Sequence, residues 1–294
     1  MRKFTRRVFR SVLLMALSVV TLSATAATSV WKVSSGDNVL YVGGTIHVLR
    51  QSDYPLPVEF DRAYLRADRL FFETDLEQLH TPEVVQRMQQ AVRYPDGISG
   101  LDKRVSAALY QRIEKVWAQY GLPPEAMVGL RPSGIVITLT MLNLQQIGVD
   151  AQGIDDFYHR RAIADAKPVG GLESVDQQIR LLAGMGAGDE EKFMSMSLDE
   201  LQQSGGLVDG MVEAWRRGNL TDLDRLVLED MRRDSPAEFR KLIVDRNRKW
   251  LPQIEAMLAD RQVEFVLVGS GHLAGDEGLI EQLQQRGYRV EPVQ

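Results

Sequence analysis

Two histidines occupy the same local setting at opposite ends of this chain. Val39-Leu40-Tyr41-Val42-Gly43-Gly44-Thr45-Ile46-His47 reads as an apolar strand running into Gly-x-x-His. Val263-Glu264-Phe265-Val266-Leu267-Val268-Gly269-Ser270-Gly271-His272 repeats the pattern, and the chain has only four histidines. A strand delivers a side chain rigidly to a sheet edge, and a glycine there allows close approach of backbone or ligand. Two imidazoles so placed can converge on one site. Glu73 ends a third apolar run, Arg69-Leu70-Phe71-Phe72-Glu73. Two neutral imidazoles and one carboxylate form a common ligand set for a first-row divalent metal. Three protein ligands leave positions open, where bound water can lose a proton near neutral pH and attack a carbonyl. Asp75, two residues beyond Glu73, would share its face on a strand. It is a candidate fourth ligand, partner to an imidazole, or general base.

A lone strand-end histidine is ordinarily structural; two sharing one motif favour a common site. His80, at a helix start, and His159, within a helix, read as solvated. Other chemistries fail on spacing. There is no His-Glu-x-x-His and no Gly-x-Ser-x-Gly, and Gly269-Ser270-Gly271 is not a nucleophile elbow. Gly184-Met185-Gly186-Ala187-Gly188 reads as a loop. No strand precedes it and no Gly-Lys-Ser/Thr follows, so it is not a phosphate cradle.

The elements that must position these residues are α/β in outline. Residues 30–42 predict a hairpin with its turn at 34–38. Residues 57–67 predict a helix, and 69–75 a buried strand ending in acids. Helical spacing dominates from there, clearest at 103–120, and 135–144 is apolar nearly all round, as in a buried helix. A strand-like break falls at 167–171, just before Glu173. The chain closes with a strand at 263–268, a helix at 278–285 and a strand at 288–293. The expectation is a central β-sheet built from the N- and C-terminal segments, with a large helical insert between them. Ligands on such sheets sit at strand carboxyl ends, where His47, Glu73, Glu173 and His272 all fall.

Residues 1–26 read as a secretory signal peptide. Arg2, Lys3, Arg6, Arg7 and Arg10 form a basic start, 11–22 is apolar, and Ala24-Thr25-Ala26 is an Ala-x-Ala cleavage site. The apolar run is shorter than the roughly 18 residues of a membrane span. Arg6-Arg7 also permits a twin-arginine route. Residues 27–294 then form the domain, placed in the periplasm or outside the cell without a stable membrane span. The full chain has 35 Lys and Arg against 40 Asp and Glu; losing five leader cations gives a formal charge of −10. That charge disfavours nucleic acid. With no cysteine, disulfides and thiolate sites are excluded.

Several segments together resemble the TraB/GumN family. They are Trp31-Lys32-Val33, the two Gly-x-x-His runs, Phe71-Phe72-Glu73-Thr74-Asp75, Gly153-Ile154-Asp155, Gly171-Leu172-Glu173-Ser174 and Arg246-Asn247-Arg248-Lys249-Trp250. Their order spans residues 27–294. The family resembles the TIKI metalloproteases and, more distantly, erythromycin esterases and ChaN proteins. The resemblance implies an α/β core and a metal site at His47, Glu73 and His272. It implies Arg246 as a group that binds a substrate carboxylate or an oxyanion. It offers Glu173 as a supporting acid, and Asp155 as another or as a helix cap. The expected activity is metal-dependent hydrolysis of a peptide or similar amide, with Mn²⁺, Co²⁺ or Zn²⁺ and with Glu73 or Asp75 taking the proton. The substrate is a peptide or small molecule. Two other readings are a periplasmic protein that sequesters a peptide, metal or haem, and an esterase-like enzyme with a histidine base and no metal. Intact mass of the exported protein should start it at Ala27; an uncut leader would overturn the cleavage reading.

Overall fold

The structure, a computed structural model, describes residues 28–95, 100–149 and 152–294. The leader and its cleavage site lie outside the described residues. Strand β1 (Val30–Ser35) and strand β2 (Asn38–Thr45) form the expected hairpin. Gly36 takes the φ of +57° that a two-residue connection requires of one of its residues. Strands β3 (Arg69–Phe72), β4 (Val169–Gly171), β5 (Glu264–Gly269) and β6 (Arg289–Pro292) complete one sheet in the order β4-β3-β5-β2-β1-β6. Strand β1 runs antiparallel to β2 and β6, whereas β4, β3, β5 and β2 are mutually parallel. The N- and C-terminal strands therefore do share one sheet, and the chain folds as mixed α/β. Among the described residues no helix is long and apolar enough to cross a membrane.

The helices, in chain order, are α1 (Val58–Arg66), α2 (Leu76–Leu79), α3 (Pro82–Ala91), α4 (Ala107–Gln119), α5 (Pro132–Gln146), α6 (Ile154–Ala164), α7 (Val175–Ala183), α8 (Glu190–Arg216), α9 (Leu220–Leu223), α10 (Glu229–Asp234), α11 (Pro236–Phe239), α12 (Asp245–Met257) and α13 (Leu279–Gln285). Period-2 alternation along the buried strands explains the layering. Tyr41, Phe265 and Leu267 meet Phe60 and Tyr64 of α1 and Tyr158 of α6 on one face. Leu40, Val42, Val266 and Val268 meet Trp250 and Ile254 of α12 and Leu279 and Leu283 of α13 on the other. A separate helical core joins Ile113 and Trp117 of α4, Ile135 and Leu139 of α5 and Met194 of α8. Helix α5 is longer than expected and is not buried all round, since Met141 is exposed.

The start of α6 is pinned to the end of β2. Ile154 N–H donates to the Ile46 carbonyl at 3.1 Å. A Cβ on Gly153 would lie 2.5 Å or less from the Ile46 and His47 carbonyl oxygens. Those are backbone atoms and cannot yield, so the helix reaches β2 only because Gly153 has no side chain. Gly153→Ala should destabilise the fold by about 2 kcal/mol or more, read as a lower urea midpoint with an unchanged slope. An unchanged midpoint would mean that α6 is free to slide.

Candidate functional site

Four parallel strands release their chains at one edge of the sheet. The ladder of β2 against β5 ends at Thr45 beside Gly269, with His47 and His272 just beyond. The β3–β4 pairing continues past both strands, through Leu172 N–H to Phe72 O and Glu173 N–H to Glu73 O, each 2.9 Å. Glu73 and Glu173 therefore lie side by side. Helix α12 crosses this edge and contributes Arg246, Asn247 and Trp250 from one face.

His47, Glu73, His272, Glu173, Arg246 and Asp155 gather there. His47 Nε2 and His272 Nε2 stand 4.0 and 3.9 Å from the same atom, Glu73 Oε1. Gly269 N–H also donates to that oxygen, at 2.7 Å. A Cβ on Gly269 would sit 3.1 Å from Glu73 Oε1 and 3.4 Å from His47 Nε2. The absent side chain thus keeps a cradle open between the imidazoles and the carboxylate.

Each imidazole is oriented from behind. His47 Nδ1 lies 2.8 Å from Asp155 Oδ2, and Thr45 Oγ1 donates to Asp155 Oδ1 at 2.9 Å. His272 Nδ1 lies 2.7 Å from Asn247 Oδ1. The Asn247 amide is fixed, because its Nδ2 donates to the His272 and Glu277 carbonyls. Its oxygen must accept, so His272 carries its proton on Nδ1 and leaves a lone pair on Nε2. Asp155 imposes the same proton placement on His47 when that ring is neutral. The Trp250 ring packs on His272 with centroids 4.5 Å apart.

Arg246 ties the cluster together. It grips Glu173 with two bonds of 2.7 and 3.1 Å and donates to Glu73 Oε2 at 2.5 Å. It also donates to His272 Nε2 at 2.9 Å and to the Leu242 carbonyl at 3.4 Å. These five bonds use every N–H of the guanidinium, so none is left for a substrate oxygen in this arrangement.

Asp75 does not join the cluster. Strand β3 ends at Phe72, so the two-residue repeat that would have aligned Asp75 with Glu73 is lost. Asp75 instead caps α2, accepting from Gln78 N–H at 3.0 Å and Gln78 Nε2 at 2.6 Å. Asp155 opens α6, and its side chain serves His47 and Thr45. His80 is exposed as expected, yet it lines the cavity in front of the cluster. His159 is not solvated. It is 8% exposed, edge-on to Phe72 at 5.6 Å, and its Nε2 has no partner. Burial lowers its pKa.

A divalent ion is the group these donors suit in kind. Both Nε2 atoms stand beside one carboxylate oxygen over an open cradle. With both imidazoles neutral, three carboxylates face one guanidinium, a formal −2 that a divalent cation would balance. The arrangement is not closed: among the described residues no three potential ligands are drawn together tightly enough to hold an ion. Arg246 also donates to His272 Nε2, the atom that would give its lone pair to a metal.

The chain belongs to the TraB/PrgY/gumN family, which it matches over residues 29–292. It is similar to a metalloprotease TIKI homolog of Nematostella vectensis, 24% identical over 86% of this chain and 64% of the relative. It is also similar to metalloprotease TIKI2 of Danio rerio, 23% identical over 85% of this chain and 58% of the relative. The chain thus spans about three-fifths of the length of these curated relatives. No solved structure matches it.

Charge sets the proton balance. The Asp155 carboxylate raises His47 to about 9, with Glu73 assisting. Burial lowers His272 to about 3, and Arg246 adds to this. Burial would raise Glu73, but His272, Arg246 and His47 outweigh it and hold the carboxyl at about 2. Folding without metal should therefore be most stable near pH 6.5. Below 6.5 the unfolded His272 takes a proton that the folded one refuses, and stability falls toward pH 3. Below 4.5 Glu73 adds to the loss as pH falls toward 2. Between 6.5 and 9 the His47 contribution is lost, weakened by solvent at its 64% exposed side chain. Urea midpoints in chelator should follow this dome; His272→Gln should flatten the acid limb and His47→Gln the alkaline one. A parent midpoint level from pH 4 to 6.5 would contradict the His272 assignment.

Proposed function

We propose that the protein is an exported metal-dependent hydrolase, most plainly a metallopeptidase acting on a peptide or similar amide. The observation that carries this reading is the pair of imidazole Nε2 atoms converging on Glu73 Oε1 above Gly269, each ring locked from behind. Similarity to proteins named metalloproteases supports it, as does the leader-like sequence of residues 1–26. His47, Glu73 and His272 would hold Mn²⁺, Co²⁺ or Zn²⁺. Such an ion supplies a polarised carbonyl and a nucleophilic water at neutral pH.

The chain's own residues set the conditions for that chemistry. Asp155 and Asn247 keep the Nδ1 protons in place and so present both Nε2 lone pairs forward. Glu73, held ionised, suits ligation better than proton transfer, because a base works best with a pKa near the operating pH. Glu173 keeps Arg246 at the site through a two-point grip. If His272 Nε2 served as a ligand, the Arg246 N–H it now accepts would be free to donate to a developing oxyanion.

Purified protein, stripped with chelator and reloaded with Mn²⁺, Co²⁺ or Zn²⁺, should cleave members of a peptide library only when loaded. His47→Ala and His272→Ala should each lower kcat/KM by about 100-fold or more. Asp155→Asn should weaken metal affinity by about 10–100-fold. If both alanine variants cleave as well as the parent, the metal mechanism is wrong.

A further inference from the structure

The cavity in front of the cluster, about 330 Å³, has a mixed lining. His47, Glu73, Asp155 and Arg246 of the cluster, with His80, Asp156 and Gln178, supply its polar part. Leu76 and Leu79 of α2, Leu181 and Leu182 of α7 and Leu242 ahead of α12, with Phe72, supply its apolar part. All five leucines are only half-buried. They come from three separate elements yet meet on one cavity beside the polar cluster. Apolar surface left facing water costs about 25 cal/mol per Å², and an apolar group seated on these leucines would recover part of it. The volume falls at the lower end of the ligand-pocket range, about 300–1,000 Å³. It suits one or two residues of an extended chain rather than a folded partner.

We propose that the leucine wall is the specificity pocket and that the substrate is a peptide with an aliphatic side chain next to the scissile amide. The peptide bond lies against His47, Glu73 and Arg246 while that side chain lies on α2 and α7. This rests on the hydrolase reading for the bond that is cut, but not for the side chain that is bound. A hydrophobic wall of this kind discriminates by about 10–200-fold per methylene or so gained.

The test uses the mature protein and the probes N-acetyl-leucine amide and N-acetyl-glycine amide, titrated by ligand-observed NMR, beside a peptide library with the metal-loaded protein. The parent should bind the leucine probe at least about tenfold more tightly than the glycine probe. Leu79→Glu and Leu182→Glu, on different helices, should each abolish that preference and raise affinity for N-acetyl-lysine amide; Leu182→Met should keep it. Thermal melts identify a variant that fails to fold, and the other then decides. Equal affinity of the parent for the leucine and glycine probes overturns the proposal, as does an unchanged preference in the folded Glu variants. Leucine preference without any cleavage supports the pocket and removes the hydrolase reading. Cleavage with no apolar preference at any position does the reverse.

Discussion

The carboxyl edge of the sheet depends on one buried cation. Arg246 has a side chain only 11% exposed, and Glu73 and Glu173 beside it are each 9% exposed. A charge removed from water to this degree persists only if paired and hydrogen-bonded throughout, and Arg246 meets that demand at every N–H. Its partners come from the segments just after β3 and β4, the turn after β5 and the helical turn before α12. The requirement to satisfy one guanidinium therefore fixes four chain segments against one another. It also helps to keep Glu73 ionised although burial opposes this, so the electrostatics of the site and the packing of its walls have a common origin.

The sheet provides the other half of the arrangement. Parallel strands β3, β5 and β2 lie next to one another, so the chain leaving each strand emerges at the same edge. The two Gly-x-x-His runs are not in equal register. Gly44 pairs with Val268, and Gly269 pairs with Thr45. That one-residue offset, with the short helical turn at Ser270–His272, sets the two rings at different heights around one carboxylate. His47 stays open to solvent while His272 is buried under Trp250.

The fold class is legible in the sequence because continuous apolar runs end in glycines at both chain ends. His47, Glu73 and His272 are legible for the same reason: each sits at a strand end, where sequence position predicts direction. Asp75 departs from its expected place because the strand stops at Phe72, and alternation says nothing beyond a strand's last residue. His159 departs from solvation because its burial comes from the tertiary packing of α6 on Phe72, which no local pattern reveals. The roles of Asp155 and Asn247 lie in hydrogen bonds to rings far away in the chain or around a turn. Their motifs draw attention, but the bonding itself has no sequence signature.

The pairing of β2 with β5 has a consequence for how the protein comes into being. His47 leaves the ribosome early and His272 late, and neither has its cross-strand neighbour until the whole helical insert has been made. A growing chain, or one threaded unfolded through a membrane, carries the donor atoms but not the arrangement. Whatever reactivity the finished edge possesses is therefore absent until β5 has been made. A nascent fragment cut short before β5 is silent by construction, with no inhibitor and no propeptide required.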